Sequence, residues 1–137
     1  MGWTVANARH VRLSDSKDKV IVLDFYATWC EPCRDSTPHL VALQKRYGPQ
    51  GLQIVGLNVG GPEDVEMIPG FAREFNIPYQ LGIPDAELED LMNDRPSIPQ
   101  TFVIDRHGVI LNRFIGYGDS TGEELERAIQ VSLAAAK

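Results

Sequence analysis

Cysteine is scarce in this chain: two among 137 residues. That excludes a small scaffold stapled by several disulfides. Histidine is nearly as scarce, and His10, His39 and His107 stand far apart with no ligand-pair spacing. A zinc site needs four donors, two more than the cysteines supply, so no metal is expected. Positive charge is outweighed, 13 Lys and Arg against 19 Asp and Glu for a net charge of −6. That balance argues against nucleic acid or an anionic membrane as the main partner. The acidic residues are dispersed, as in Glu63-Asp64-Val65-Glu66 and across residues 85–94, and read as solvated helix faces. No apolar run approaches the roughly 18 residues that cross a bilayer. Residues 1–5 show no charged segment followed by an apolar one, so no signal peptide is visible. Two locations remain open: the cytoplasm, or an extracytoplasmic compartment with the signal or anchor outside this chain. Internal repeats, low-complexity tracts and long linkers are missing too. With 43% apolar residues, the expectation is one domain over 1–137 with a substantial core.

What the chain does have is both cysteines two residues apart, in Trp29-Cys30-Glu31-Pro32-Cys33. An apolar, strand-like run over residues 20–26 leads in, and a helix-compatible stretch over 34–47 leads out. A Cys-x-x-Cys between strand and helix reads as a dithiol redox site. There the unsatisfied N–H groups and the helix dipole favour thiolate over thiol, which lowers a cysteine pKa from about 8.5 into the range of roughly 3.5–7.5.

Periodicity supplies the surroundings. Residues 11–13 alternate as a short strand, and 20–27 read as a central strand buried on both faces. Leu40, Leu43 and Tyr47 fall at helical spacing, with Pro38 inside the pattern and Gly48-Pro49 ending it. Residues 52–59 form the next strand. A helix over 63–75 is expected to be broken or bent around Pro69-Gly70. A short strand over 79–83 and a short helix over 86–92 follow. Residues 101–104 and 109–111 flank a turn as an antiparallel hairpin. A last helix begins at Thr121, with Leu125, Ile129 and Leu133 as its apolar stripe. Strands separated by helices require right-handed crossovers and predict a mainly parallel sheet, with antiparallel strands added by the hairpin. The class is α/β, a mixed sheet flanked by helices.

Two segments carry a resemblance: residues 22–33, ending in Cys30-Glu31-Pro32-Cys33, and residues 97–105, Ser97-Ile98-Pro99-Gln100-Thr101-Phe102-Val103-Ile104-Asp105, with Gly108 beyond. Over about residues 11–135 the chain resembles thioredoxin-fold proteins, and among them the TlpA/ResA group of thiol–disulfide oxidoreductases. The resemblance implies a thioredoxin-like three-layer sandwich with no cofactor other than a redox-active Cys30–Cys33 disulfide. It implies disulfide-containing protein substrates, a membrane or soluble electron donor that re-reduces the pair, and a monomer. The location it implies is the bacterial periplasm or another extracytoplasmic face. It also implies a cis peptide bond before Pro99, which would free the Ile98 backbone to bond an extended peptide by strand addition.

Roles follow for the site. Cys30 is the expected attacking thiolate and Cys33, one turn into the helix, the resolving thiol. Glu31 and Pro32 tune the couple: Pro32 suits a helix start, while the charge of Glu31 beside a thiolate raises the cysteine pKa, opposed by Arg34. Trp29 offers substrates an apolar surface. Asp24, six residues before Cys30 in an apolar strand, matches a buried aspartate of thioredoxin and is the expected acceptor of the Cys33 proton. Two departures stand out. Ser36 replaces a glutamate carried by many TlpA/ResA-type proteins, which weakens any assignment to cytochrome c maturation. Gly56 occupies the position at which thioredoxin pairs its aspartate with lysine. A peroxidase on this fold would want threonine three residues before the reactive cysteine, where Ala27 stands. A disulfide-introducing oxidase or isomerase is the alternative, because direction depends on redox poise.

Overall fold

The computed structural model describes residues 1–5, 8–92 and 96–135. Seven strands, β1 (Gly2–Thr4), β2 (His10–Arg12), β3 (Val20–Tyr26), β4 (Leu52–Asn58), β5 (Gln80–Pro84), β6 (Gln100–Ile104) and β7 (Ile110–Ile115), form one sheet in the order β2-β1-β5-β4-β3-β6-β7. The helices are α1 (Glu31–Tyr47), α2 (Pro62–Val65), α3 (Ile68–Phe75), α4 (Ala86–Glu89) and α5 (Thr121–Ala134).

Strand β3 is buried along its whole length, as its continuous apolar run requires. It runs parallel to β4, and β4 parallel to β5. Every other ladder is antiparallel: β3–β6, β6–β7, β1–β5 and β1–β2. The expectation of a mainly parallel sheet is therefore corrected to a parallel trio with an antiparallel pair on either side. The sequence reading lacked β1, a three-residue strand without alternation. Tertiary pairing holds it between β2 and β5, with Trp3 at 0% exposure and its indole Nε1 donating to Gln80 Oε1 at 2.6 Å.

Side chains of β3 alternate between two cores. Val20 and Val22 meet Leu40, Leu43 and Tyr47 of α1 and Leu125 and Ile129 of α5. Ile21, Leu23 and Phe25 meet Trp3, Leu88 and Met92 on the opposite face. Helices thus cover both faces of the sheet, giving three layers. At about 25 cal/mol per Å² of apolar surface, full burial of each Val, Leu, Ile or Phe here contributes roughly 1.5–3 kcal/mol.

Helix α1 continues through Pro38 to Tyr47. The expected break around Pro69-Gly70 lies earlier, at Glu66–Met67 between α2 and α3. Pro69 instead occupies the first turn of α3, where a missing N–H costs no helical bond. The acidic stretch 85–94 is described to residue 92, so its last two residues lie outside the described residues. Among the described residues no helix is long and apolar enough to cross a membrane.

Candidate active site

Strand β3 ends at Tyr26, and residues 27–30 turn the chain into α1. The turn is closed by the Cys30 N–H donating to the Ala27 carbonyl at 3.2 Å. Cys30 is the N-cap of α1: its sulfur accepts the Cys33 N–H at 3.3 Å. A disulfide joins the two cysteines, with their Cα atoms 5.2 Å apart. Cys30 retains 6% exposure and Cys33 none, the asymmetry expected of an attacking and a resolving sulfur. Pro32 lies in the first helical turn, and Glu31 beside it is exposed. Trp29 is 66% exposed immediately before Cys30, a position outside the core.

The Ile98–Pro99 peptide bond is cis, and the Ile98 carbonyl oxygen lies 3.7 Å from Cys30 Sγ. The Pro99 carbonyl accepts the Gly116 N–H at 2.8 Å, which ties this turn to the end of β7. Cys30 and Cys33 pack with Tyr26, Ala27 and Phe71, and half-buried Ile98 lies against the same cluster. Structure thus gathers Cys30, Cys33, Ile98 and Pro99 at one end of the sheet, with Trp29 and Glu31 open to solvent beside them.

Asp24 lies on the α1 side of β3, one pleat before Tyr26. It is 2% exposed, and its neighbours in register are Gly56 on β4 and Thr101 on β6. Desolvation raises its pKa to about 7, partly offset by the Thr101 hydroxyl, which donates to Oδ1 at 3.5 Å. Gly56 holds the position expected to lack a cation. A Cβ there would meet Leu81 Cδ2 at 2.5 Å and the rings of Tyr26 and Tyr79 at 3.4 and 3.5 Å. Apolar and phenolic groups fill the space in which a lysine would compensate the carboxylate.

Arg34 does not act as a free charge beside the cysteines. Its Nη1 donates to the Thr28 carbonyl at 3.0 Å, Nη2 pairs with Glu74, and the guanidinium lies 5.6 and 5.1 Å from the ring centroids of Phe71 and Phe75. The expected contest between Glu31 and Arg34 is thereby reduced, because the arginine charge is matched by Glu74. Ser36 is buried, and its hydroxyl donates to the Cys33 carbonyl at 2.9 Å, alongside that of Thr37 at 2.7 Å.

One group was missed. Asp64, read from sequence as part of a solvated acidic face, is 4% exposed. Its Oδ2 accepts the Thr28 N–H and the Asn58 side-chain amide, each at 2.8 Å, and its Oδ1 accepts the Thr28 hydroxyl. Burial pushes its pKa up, but these hydrogen bonds outweigh it and hold the carboxyl below the usual range. Gly60 was the available signal: a Cβ there would lie 2.5 Å from Asp64 Oδ2. Among the described residues no group of three His, Cys, Asp or Glu side chains comes together as a metal site.

A mixed sheet between helical layers, with a Cys-x-x-Cys pair capping the helix that follows the central strand, defines the thioredoxin-fold class. The chain belongs to the AhpC/TSA family, whose profile matches residues 3–113. It is 33% identical over 120 residues to the thiol-disulfide oxidoreductase ResA of Geobacillus kaustophilus, covering 87% of this chain and 66% of that protein. It is 31% identical over 111 residues to ResA of Bacillus subtilis, covering 80% of this chain and 60% of the relative. The chain thus spans somewhat less than two thirds of these relatives. Among solved structures, a putative thiol:disulfide interchange protein DsbE from Chlorobium tepidum superposes with a TM-score of 0.85 at 27% identity, over 98% of this chain and 93% of that one.

Proposed function

We propose that the chain is a dithiol–disulfide oxidoreductase that reduces disulfides of protein substrates. The observation that carries this reading is the Cys30–Cys33 disulfide at the N-terminus of α1, with the cis Ile98–Pro99 bond beside it. In the reduced protein the Cys30 thiolate attacks one sulfur of a substrate disulfide. A Cys30–substrate bond forms and one substrate thiolate leaves. Cys33 gives its proton to the Asp24 carboxylate and attacks Cys30 Sγ. The second substrate thiolate is released and the Cys30–Cys33 bond is restored, so two electrons have passed to the substrate. An electron donor, membrane-bound or soluble, then reduces the pair.

Trp29, Ile98 and Pro99 form the substrate surface, with an extended peptide bonding the Ile98 backbone. Glu31 and Pro32 tune the couple. The residues act within one domain over 1–137, as a monomer, at an extracytoplasmic face. Ser36 lies on the buried face of α1, bonded to the Cys33 carbonyl, so this site gains no acidic side chain from that position.

Equilibration against defined glutathione or dithiothreitol ratios tests the reading. A potential near or below about −250 mV, close to the roughly −270 mV of thioredoxin, supports a reductant. A value near about −120 mV reverses the direction and assigns an oxidase. A pair with no reversible two-electron couple removes the proposal altogether.

A further inference from the structure

We infer that Asp64 is a positioning residue for the dithiol: it pins the turn of residues 27–30 so that Cys30 Sγ is held against Cys33. The inference rests on the redox reading above and adds a residue from outside the Cys-x-x-Cys and cis-proline segments.

Three features carry it. The first is where the hydrogen bonds go. Both Thr28 donors, the backbone N–H and the hydroxyl, end on the two carboxylate oxygens of Asp64. Thr28 lies two residues before the reactive cysteine, and its carbonyl is held by Arg34 at 3.0 Å. Its peptide and side-chain polar groups are thus engaged from two directions. The second is the cost of the arrangement. A buried carboxylate is held by neutral donors from Thr28 and Asn58. A buried charge kept ionised in this way is expensive unless its donors are fixed. Asn58 is fixed in turn, because its Oδ1 accepts the Gly60 N–H at 3.0 Å. The third is the backbone that admits it. Gly60 leaves open the space a side chain would take from Asp64, at 2.5–2.8 Å.

The consequence for the chemistry is an effective concentration. Closing the Cys30–Cys33 bond is intramolecular, and its equilibrium depends on how tightly the two sulfurs are held in bonding geometry. Helix α1 fixes Cys33. Cys30 stands where the turn meets α1, and Asp64 anchors that turn on one side while Arg34 holds it on the other. Loosening that tie makes the disulfide less stable and moves the couple to a more positive potential.

The test uses Asp64→Asn, which removes the charge, and Thr28→Val, which removes the hydroxyl donor but keeps both the carboxylate and the Thr28 N–H. Reduction potential against glutathione and thermal unfolding midpoint are read on the parent and each variant. We expect Asp64→Asn to lower the ring-closure constant about tenfold, about 30 mV more positive, and Thr28→Val about threefold, about 14 mV. A fall in midpoint with potentials matching the parent makes Asp64 purely structural and overturns the inference. A shift in Asp64→Asn alone assigns the effect to charge and overturns positioning as well. If Asp64→Asn does not fold, Thr28→Val decides alone. A parent without a reversible couple overturns both this and the proposed function. A parent that titrates, with variants identical to it, overturns this inference only.

Discussion

Replacing Asp24 by Asn should change the pH dependence of stability and the rate of disulfide exchange together. The carboxyl of Asp24 has an unfolded-state pKa of 3.8 and a folded value of about 7, raised by desolvation on β3. A raised acidic pKa means that the native state prefers the proton. Below pH 4 both states carry it, and the group costs nothing. Between pH 4 and 7 the unfolded chain ionises while the folded one does not, so stability declines as pH rises. Three units at 1.36 kcal/mol each make the loss about 4 kcal/mol, complete above pH 7. Asp24→Asn has no such slope. At pH 8 the variant should exceed the parent by up to about 4 kcal/mol, on the order of 10 °C in melting midpoint. At pH 4 the two should nearly coincide. Kinetically the same change removes the proposed acceptor for the Cys33 proton, and a positioned base contributes about 10²–10⁴-fold. Resolution of a mixed disulfide on Cys30, followed by stopped-flow, should slow by about 10²-fold at pH 8. Parallel stability curves between pH 4 and 7 would refute the burial argument. Equal resolution rates would refute the proton-transfer role even if the curves diverged.

Other substitutions separate scaffold from chemistry. Trp3→Ala empties a fully buried site and strands Gln80, so urea unfolding should show a loss of about 3–5 kcal/mol. Trp29→Ala touches an exposed side chain, so its unfolding free energy should stay within about 0.5 kcal/mol of the parent. Turnover of a protein disulfide should fall severalfold in that variant, and unchanged turnover would remove Trp29 from the substrate surface. Cys33→Ser leaves Cys30 to attack without resolution. A covalent Cys30–substrate adduct should then accumulate on non-reducing gels and disappear with dithiothreitol.

Local pattern made the redox end of the molecule legible. The run before Asp24 is apolar on both faces because β3 has a core on each side, and that is why the strand could be read without a partner. Leu40, Leu43 and Tyr47 at helical spacing are the buried stripe of α1. The pairing of Asp24 with Gly56 followed from the resemblance to thioredoxin, and the β3–β4 register places the two side by side. What escaped depends on contacts distant in sequence. Strand β1 exists only because β2 and β5 bracket it. The burial of Asp64 is invisible in Glu63-Asp64-Val65-Glu66, where three acids share one short segment. Which of them turns inward is decided by Thr28 and Asn58, across the sheet end. The start of α3 at Ile68 likewise depends on Pro69 serving as a first-turn residue rather than as a breaker.

The short N-terminal hairpin has a consequence for how the molecule keeps its own company. Without it β5 would end the parallel trio as an open ladder. With it the outermost strand is β2, three residues long, and bearing His10 and Arg12. A foreign strand docking there would find only a brief row of backbone groups between charged and ionisable neighbours, poor ground for propagating a sheet. For an enzyme proposed to handle extended chains, that edge offers little competition to strand pairing at the cis-proline turn, where exchange can end it.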